Sequence, residues 1–92
     1  MNMLFNCSKF NLEHISTVEQ VQEFTRYLVE DLKVNIHPDN DFAEYIELNT
    51  GKQSFNAEEI IKGNSLMEEC FKVCEVNSIS IYDLMSSILF KN

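Results

Sequence analysis

The sequence has few basic residues. Seven Lys and Arg stand against 15 Asp and Glu, so the formal net charge at pH 7 is −8. Proteins that bind nucleic acid neutralise its phosphates with clustered Lys and Arg, whereas the basic residues here are scattered singly. We therefore expect no nucleic acid among the partners. A basic protein surface fits the charge better, because opposite charges steer association.

Glycine, proline, paired cysteine and long apolar runs are also scarce. Two glycines exclude a glycine-rich phosphate loop. No apolar run reaches the roughly 18–20 residues of a membrane span, and the N-terminus has neither the basic nor the apolar region of a secretory signal. The three cysteines are an odd number and do not form a disulfide framework. We expect a protein of the reducing cytoplasm that does not bind membranes.

The residues that are present predict a mainly α fold. Apolar residues make up 45% of the 92 positions, enough for one core, and we predict a single domain over 1–92. Residues 1–13 have apolar side chains without a clear period, which fits either a tail or an edge strand. Behind them, three to four helices are expected to pack around the core.

Capping boxes and hydrophobic periodicity set the expected helices. Thr17 and Gln20 open a helix over 17–33, and Asn56 opens the longest one, about 57–77. A last helix begins near Ser80. The apolar stripe of the longest helix is predicted to form the centre of the core; its members include Met67, Cys70, Phe71 and Cys74.

Two structures fit the stretch between the first and the longest helix. Asp41 and Glu44 repeat the capping-box pattern and predict a short helix through about Ile46. Alternatively, residues 45–48 and 53–55 form a β-hairpin around a turn in which Gly51 takes a positive φ.

The richest stretch of functional residue types is His37-Pro38-Asp39-Asn40-Asp41, followed by Tyr45. Its imidazole and two carboxylates could tune proton transfer or bind a cation. The same residues also form a turn that caps the next helix, with Asp41 as the N-cap. We name His37, Asp39, Asp41 and Tyr45 as the candidate functional segment.

Neither metal pattern is complete. An EF-hand loop counted from Asp39 places Ala43, Glu44 and Thr50 where acidic or amide, glycine and glutamate residues are needed. Cys70 and Cys74 share a helix face and could hold zinc together with His37, but that face is apolar, and free cysteine is usually buried. No metal or cofactor is expected.

His37-Pro38-Asp39 resembles the signature tripeptide of J-domains, which stimulate heat-shock-70 ATPases and in which it lies between two helices. This resemblance implies a co-chaperone with a basic face on the preceding helix. The helix expected here contains Glu19, Glu23, Glu30 and Asp31 against Arg26 and Lys33.

Gly63-Asn64-Ser65-Leu66 resembles the Asp-Ser-Leu motif of acyl carrier proteins, with Asn64 in place of the aspartate. That resemblance implies a phosphopantetheine-bearing serine at a helix N-terminus. The order of short motifs along the chain also resembles small bacterial proteins with no assigned activity, which implies no function.

The sequence as a whole favours a non-catalytic protein-interaction or regulatory module, with a protein partner or a second copy of the chain bound to it. The alternative from another class is an enzyme or cation-binding site centred on His37, Asp39 and Asp41. A J-domain-like co-chaperone is the further alternative.

Overall fold

The computed structural model describes residue 10 and residues 12–89, and it is mainly helical. Helix α1 spans Val18–Arg26 and continues into a π-helical turn, Tyr27–Asp31. Helices α2 and α3 span Ala57–Val76 and Ile81–Leu89. The predicted mainly α fold is confirmed. The tail or edge strand predicted for 1–13 falls largely outside the described residues, and the single domain stays a prediction.

Helix α1 begins as predicted and ends earlier than predicted. The Thr17 hydroxyl accepts a hydrogen bond from the Gln20 amide at 3.1 Å, which satisfies an amide of the first turn. The expected helix over 17–33 stops at Asp31. The Leu32 amide donates to the Tyr27 carbonyl, five residues back, at 3.0 Å, and so widens the last turn. Lys33 then takes a left-handed φ of 51° and ends the helix.

Helix α2 has a capping motif at each end. Asn56 and Glu59 form the predicted capping box. At the other end the Ile79 amide donates to the Cys74 carbonyl at 2.8 Å, and Ser78 has a φ of 57°. This is a Schellman motif, which ends the helix at Val76, one residue before the predicted limit.

Three short extended segments lie between the π-helical turn and α2. They comprise residues 34–36, 45–47 and 53–54, and we call them the extended layer. Antiparallel bridges pair Val34 with Glu47 and Ile46 with Gln53, and Gly51 turns the chain at a φ of 73°. A 3-10 helix, Phe42–Glu44, precedes the layer's middle segment. The chain therefore combines the two structures expected for this stretch, a helical turn and then a hairpin.

Aromatic rings form the centre of the core. Five of them, none more than 5% exposed, have neighbouring centroids 4.3–6.2 Å apart. Their tilted and stacked arrangements suit the ring quadrupoles. They are Phe10, Phe24, Phe42, Tyr45 and Phe55.

Only some of the α2 residues that were predicted at the centre of the core are buried. Met67, Cys70 and Cys74 are buried as predicted, and burial raises the pKa of the Cys70 thiol to about 12. Phe71, predicted with them, is only partly buried, because it lies at the edge of the stripe where the surface opens into a groove.

Glu69 of α2 holds the segment that precedes α1. One carboxylate oxygen accepts a hydrogen bond from the Ile15 amide at 2.6 Å, and the other lies 3.4 Å from His14 Nδ1. The bond from Ile15 is the main reason that the pKa of Glu69 is lowered.

Within the described residues, none of the helices combines the length and the hydropathy of a membrane span.

Candidate functional site

Residues 37–41, which we call the central segment, join the extended layer to the 3-10 helix. Pro38 is buried, whereas His37, Asp39 and Asp41 are exposed. Tyr45, the fourth predicted site residue, is fully buried beneath them in the aromatic core. The structure therefore brings three of the four candidate residues to the surface and places the fourth in the scaffold.

Hydrogen bonds within the central segment use the polar atoms of His37. Its carbonyl accepts from the Asn40 amide and from the Tyr45 hydroxyl, each at 3.0 Å. Its ring Nδ1 accepts from the Asp39 amide at 3.2 Å. Burial raises the pKa of the Tyr45 phenol above its ordinary value, so the hydroxyl stays protonated and able to donate. The His37 carbonyl thus closes a turn, and the Tyr45 hydroxyl anchors this turn to the core.

Asp39 connects the central segment to α3. The hydroxyl of Tyr82, in the first turn of α3, donates to the Asp39 carboxylate at 2.6 Å. This hydrogen bond is the main cause of the raised pKa of the Tyr82 phenol. The Tyr82 ring also lies 6.5 Å from the His37 ring, centroid to centroid. Tyr82 is therefore part of the site, although sequence reasoning did not select it.

Asp41 connects the segment to the 3-10 helix and to α2. Its carboxylate accepts from the Ala43 amide at 2.8 Å, the predicted N-cap, and from the Asn64 side-chain amide at 3.1 Å. The Asn64 oxygen in turn accepts from the Phe42 amide at 3.0 Å. The bond from Ala43, and after it the bond from Asn64, lowers the pKa of Asp41, since both stabilise the charged form.

Gly63 lets the Phe42 ring lie directly on the backbone of α2. A Cβ atom at position 63 would overlap the Cδ2, Cε2 and Cγ atoms of that ring. Because Asn64 follows, one turn of α2 receives both the ring and the backbone amide of Phe42. A glycine inside a helical pattern indicates such a close approach, but it does not identify the residue that makes the contact.

An open groove with a volume of about 340 Å³ runs between the central segment and α2. Its apolar lining residues are Pro38, Met67 and Phe71; the first two are buried, and Phe71 is partly buried. Its charged lining residues are all acidic, and they are Asp39, Asp41 and Glu68. The groove surface is therefore more polar than apolar, and its charge is negative.

The candidate ligands of the metal alternatives do not come together. Within residues 10 and 12–89, no three His, Cys, Asp or Glu side chains form a group that could hold a metal ion. Cys70 and Cys74 are buried on α2, while His37 is exposed at the surface. The two carboxylates of the central segment instead accept hydrogen bonds from protein groups.

Replacing Gly63 with alanine should destabilise the protein, although alanine is the better helix former by about 1 kcal/mol. The added methyl group would push Phe42 off α2. Overpacking of this kind costs about 1–3 kcal/mol, so a net loss is expected in urea unfolding. Ser65→Ala, at an exposed position of the same helix, is the control and should not lower the free energy of unfolding. A Gly63→Ala variant as stable as the control would show that the ring does not lie on the helix.

Replacing Asp41 separates the role of its oxygen from the role of its charge. Asparagine still offers an oxygen to the Ala43 amide, whereas alanine does not. We expect the melting temperature at pH 7 to be near that of the parent for Asp41→Asn and lower by about 5 °C for Asp41→Ala.

Acid provides the second readout for Asp41. Because the folded-state pKa is lowered, the carboxylate contributes stability above its ordinary pKa near 4, and this contribution is lost as the pH falls through the folded-state value. The parent should therefore lose more stability between about pH 5 and 2 than Asp41→Asn does. If both variants were more stable than the parent at pH 7, the Asp41 carboxylate would be repelled by its neighbours, as at a functional site, and would not act as an N-cap.

The structure differs locally from what the two family resemblances imply. After His37-Pro38-Asp39 the chain forms the three-residue helix Phe42–Glu44 and an extended segment. The J-domain resemblance implies a longer helix at this place, because the tripeptide lies between two helices in that family. Ser65 is exposed in the middle of α2, Ala57–Val76, where an acyl carrier protein would have it at a helix start. Neither a family model, nor a curated protein, nor a solved structure matches this chain.

Proposed function

We propose that this protein is a non-catalytic protein-interaction module, and that the groove beside the central segment binds a basic segment of a partner protein. The observation that carries the proposal is the composition of the groove. Three carboxylates lie around the partly buried Phe71, and no basic residue is among the described residues that line the groove. A segment that alternates apolar residues with Lys or Arg is complementary to both features.

The roles of the polar groups support binding over catalysis. A general base must reach the proton that it abstracts, and its pKa is commonly tuned by burial or by a charged neighbour. His37 is exposed, and its Nδ1 accepts from the Asp39 amide. Asp39 and Asp41 accept hydrogen bonds from Tyr82 and Ala43. These contacts fix the shape of one groove wall.

Fixed carboxylates suit recognition because little side-chain entropy remains to be lost on binding. Asp39 is held by α3 and Asp41 by α2, so their charges keep a defined spacing before a partner arrives. Exposed ion pairs contribute only about 0.2–1 kcal/mol each, so affinity also depends on an apolar contact with Phe71. The net charge of −8 adds long-range attraction for a basic partner.

A peptide titration tests the proposal. A ten-residue peptide of alternating Leu and Lys is added to the 15N-labelled protein, and the same peptide with Glu in place of Lys serves as the charge control. We expect the Lys peptide to shift the amide signals of Asn40, Asn64 and Glu68, which line the groove. The shifts should weaken when NaCl is raised from about 0.05 to 0.5 M, because salt screens the charges of the groove carboxylates.

Two variants with the same charge change localise the binding. Glu68→Lys reverses a charge of the groove, whereas Glu30→Lys reverses one in the π-helical turn Tyr27–Asp31. Glu68→Lys should weaken binding of the Lys peptide at least tenfold, about 1.4 kcal/mol, and Glu30→Lys by less than about twofold. Equal losses would show attraction by net charge alone. Equal binding of both peptides would contradict the proposal.

A further inference from the structure

A second pocket, which we call the α2–α3 pocket, opens where α2 turns into α3. Its volume is about 330 Å³, close to that of the groove, but its surface is more apolar than polar. Cys74 and Ile81, which line it, are buried, and Phe71 and Ile79 are partly buried. Within the described residues, its one charged lining residue is the exposed Glu75. The α2–α3 pocket therefore offers the apolar contact that the groove largely lacks.

The groove and the α2–α3 pocket lie on one face of α2. Residues three or four positions apart share a helix face, and α2 contributes to both sites at such intervals. Its contributing residues are Asn64, Met67, Glu68, Phe71, Cys74 and Glu75. Phe71 lines both sites and marks the place where they meet. A segment that is bound in the groove thus reaches the α2–α3 pocket by continuing toward the C-terminal end of α2.

Charge and continuity identify the occupant of the α2–α3 pocket. Among the described residues, the charged ones that line either site are all acidic: Asp39, Asp41, Glu68 and Glu75. A basic segment in the groove therefore meets no like charge in the lining on its way to the pocket. The occupant is the same partner segment that the proposed function places in the groove, so the inference rests on that proposal and specifies the partner further.

The rise of α2 sets the distance between the two contacts. Glu68 and Cys74 are six positions apart, which corresponds to about 9 Å along the helix. A polyproline II segment advances about 3.1 Å per residue and repeats every three residues, so side chains three apart point the same way at about 9 Å. In a β-strand, side chains on one face are two or four residues apart, at about 7 or 13 Å. The polyproline II spacing fits α2 best.

The Phe71 ring suits the residues between the two contacts. It is partly buried and lies between Glu68 and Cys74 on the shared face. Polyproline II segments dock on aromatic side chains, and their preformed conformation loses little entropy on binding. We infer that the partner segment carries a Lys or Arg and a large apolar residue three positions apart in polyproline II conformation. The basic residue lies in the groove, and the apolar residue lies in the α2–α3 pocket.

Peptides of equal length and composition test this spacing. Lys-Pro-Pro-Leu and its reverse, Leu-Pro-Pro-Lys, place Lys and Leu three apart, whereas Lys-Leu-Pro-Pro and Pro-Pro-Leu-Lys place them side by side. Each is flanked by Gly and Ser and titrated into the 15N-labelled full chain. We expect the better of the two spaced peptides to shift the amide signals of both Glu68 and Glu75. It should bind at least about fivefold more tightly than either adjacent peptide.

Ile79→Ala and its matched control, Ile60→Ala, locate the apolar contact. Both substitutions remove the same atoms from a partly buried side chain, but Ile79 lines the α2–α3 pocket and Ile60 lines neither site. In variants that circular dichroism shows to be folded, Ile79→Ala should weaken the spaced peptide at least about fivefold and Ile60→Ala less than about twofold.

The outcomes separate this inference from the proposed function. Equal affinities of spaced and adjacent peptides for the parent chain, or equal effects of the two variants, would overturn the inference and leave the groove proposal standing. If no Lys peptide bound, the alternating Leu and Lys peptide included, both proposals would be overturned.

Discussion

The contact between the Phe42 ring and the backbone of α2 determines how the middle of this chain lies. Gly63 lets the ring come closer than any Cβ would allow, and the ring then contacts Phe24, Tyr45 and Phe55 in the aromatic core. Because protein interiors are packed densely, such a contact has one low-energy arrangement. The 3-10 helix therefore has a fixed position on α2, and the central segment that enters it is fixed as well.

Polar contacts complete this attachment and explain the character of the site. A buried ring brings its own backbone amide toward the interior, where an unpaired donor is costly, and Asn64 accepts from it. The same asparagine donates to Asp41, and Tyr82 donates to Asp39. The residues that resemble a reactive cluster in the sequence are thus tied to two helices. What they leave to the solvent is a rigid, negatively charged groove wall.

Local chemistry could be predicted from the sequence, and non-local partners could not. The capping residues Thr17, Asn56 and Asp41 act within three positions of themselves, so their roles are readable from spacing alone. Tyr82 lies 43 positions from Asp39, and no periodicity relates the two. Gly63 indicated a close approach, but only the structure shows that the Phe42 ring makes it. The first helical segment ends at Asp31, two residues before the approximate boundary that its periodicity predicted.

Hydrogen exchange at the Phe42 amide tests the central claim most directly, namely that the central segment is held on α2. This amide has a side-chain partner, Asn64, and no helical one. In the parent it should exchange well below the rate of an unprotected amide. In Asn64→Ala its protection should fall at least tenfold, while amides in the middle of α1 keep theirs. A Phe42 amide that exchanges freely in the parent, or whose protection does not depend on Asn64, would contradict the account.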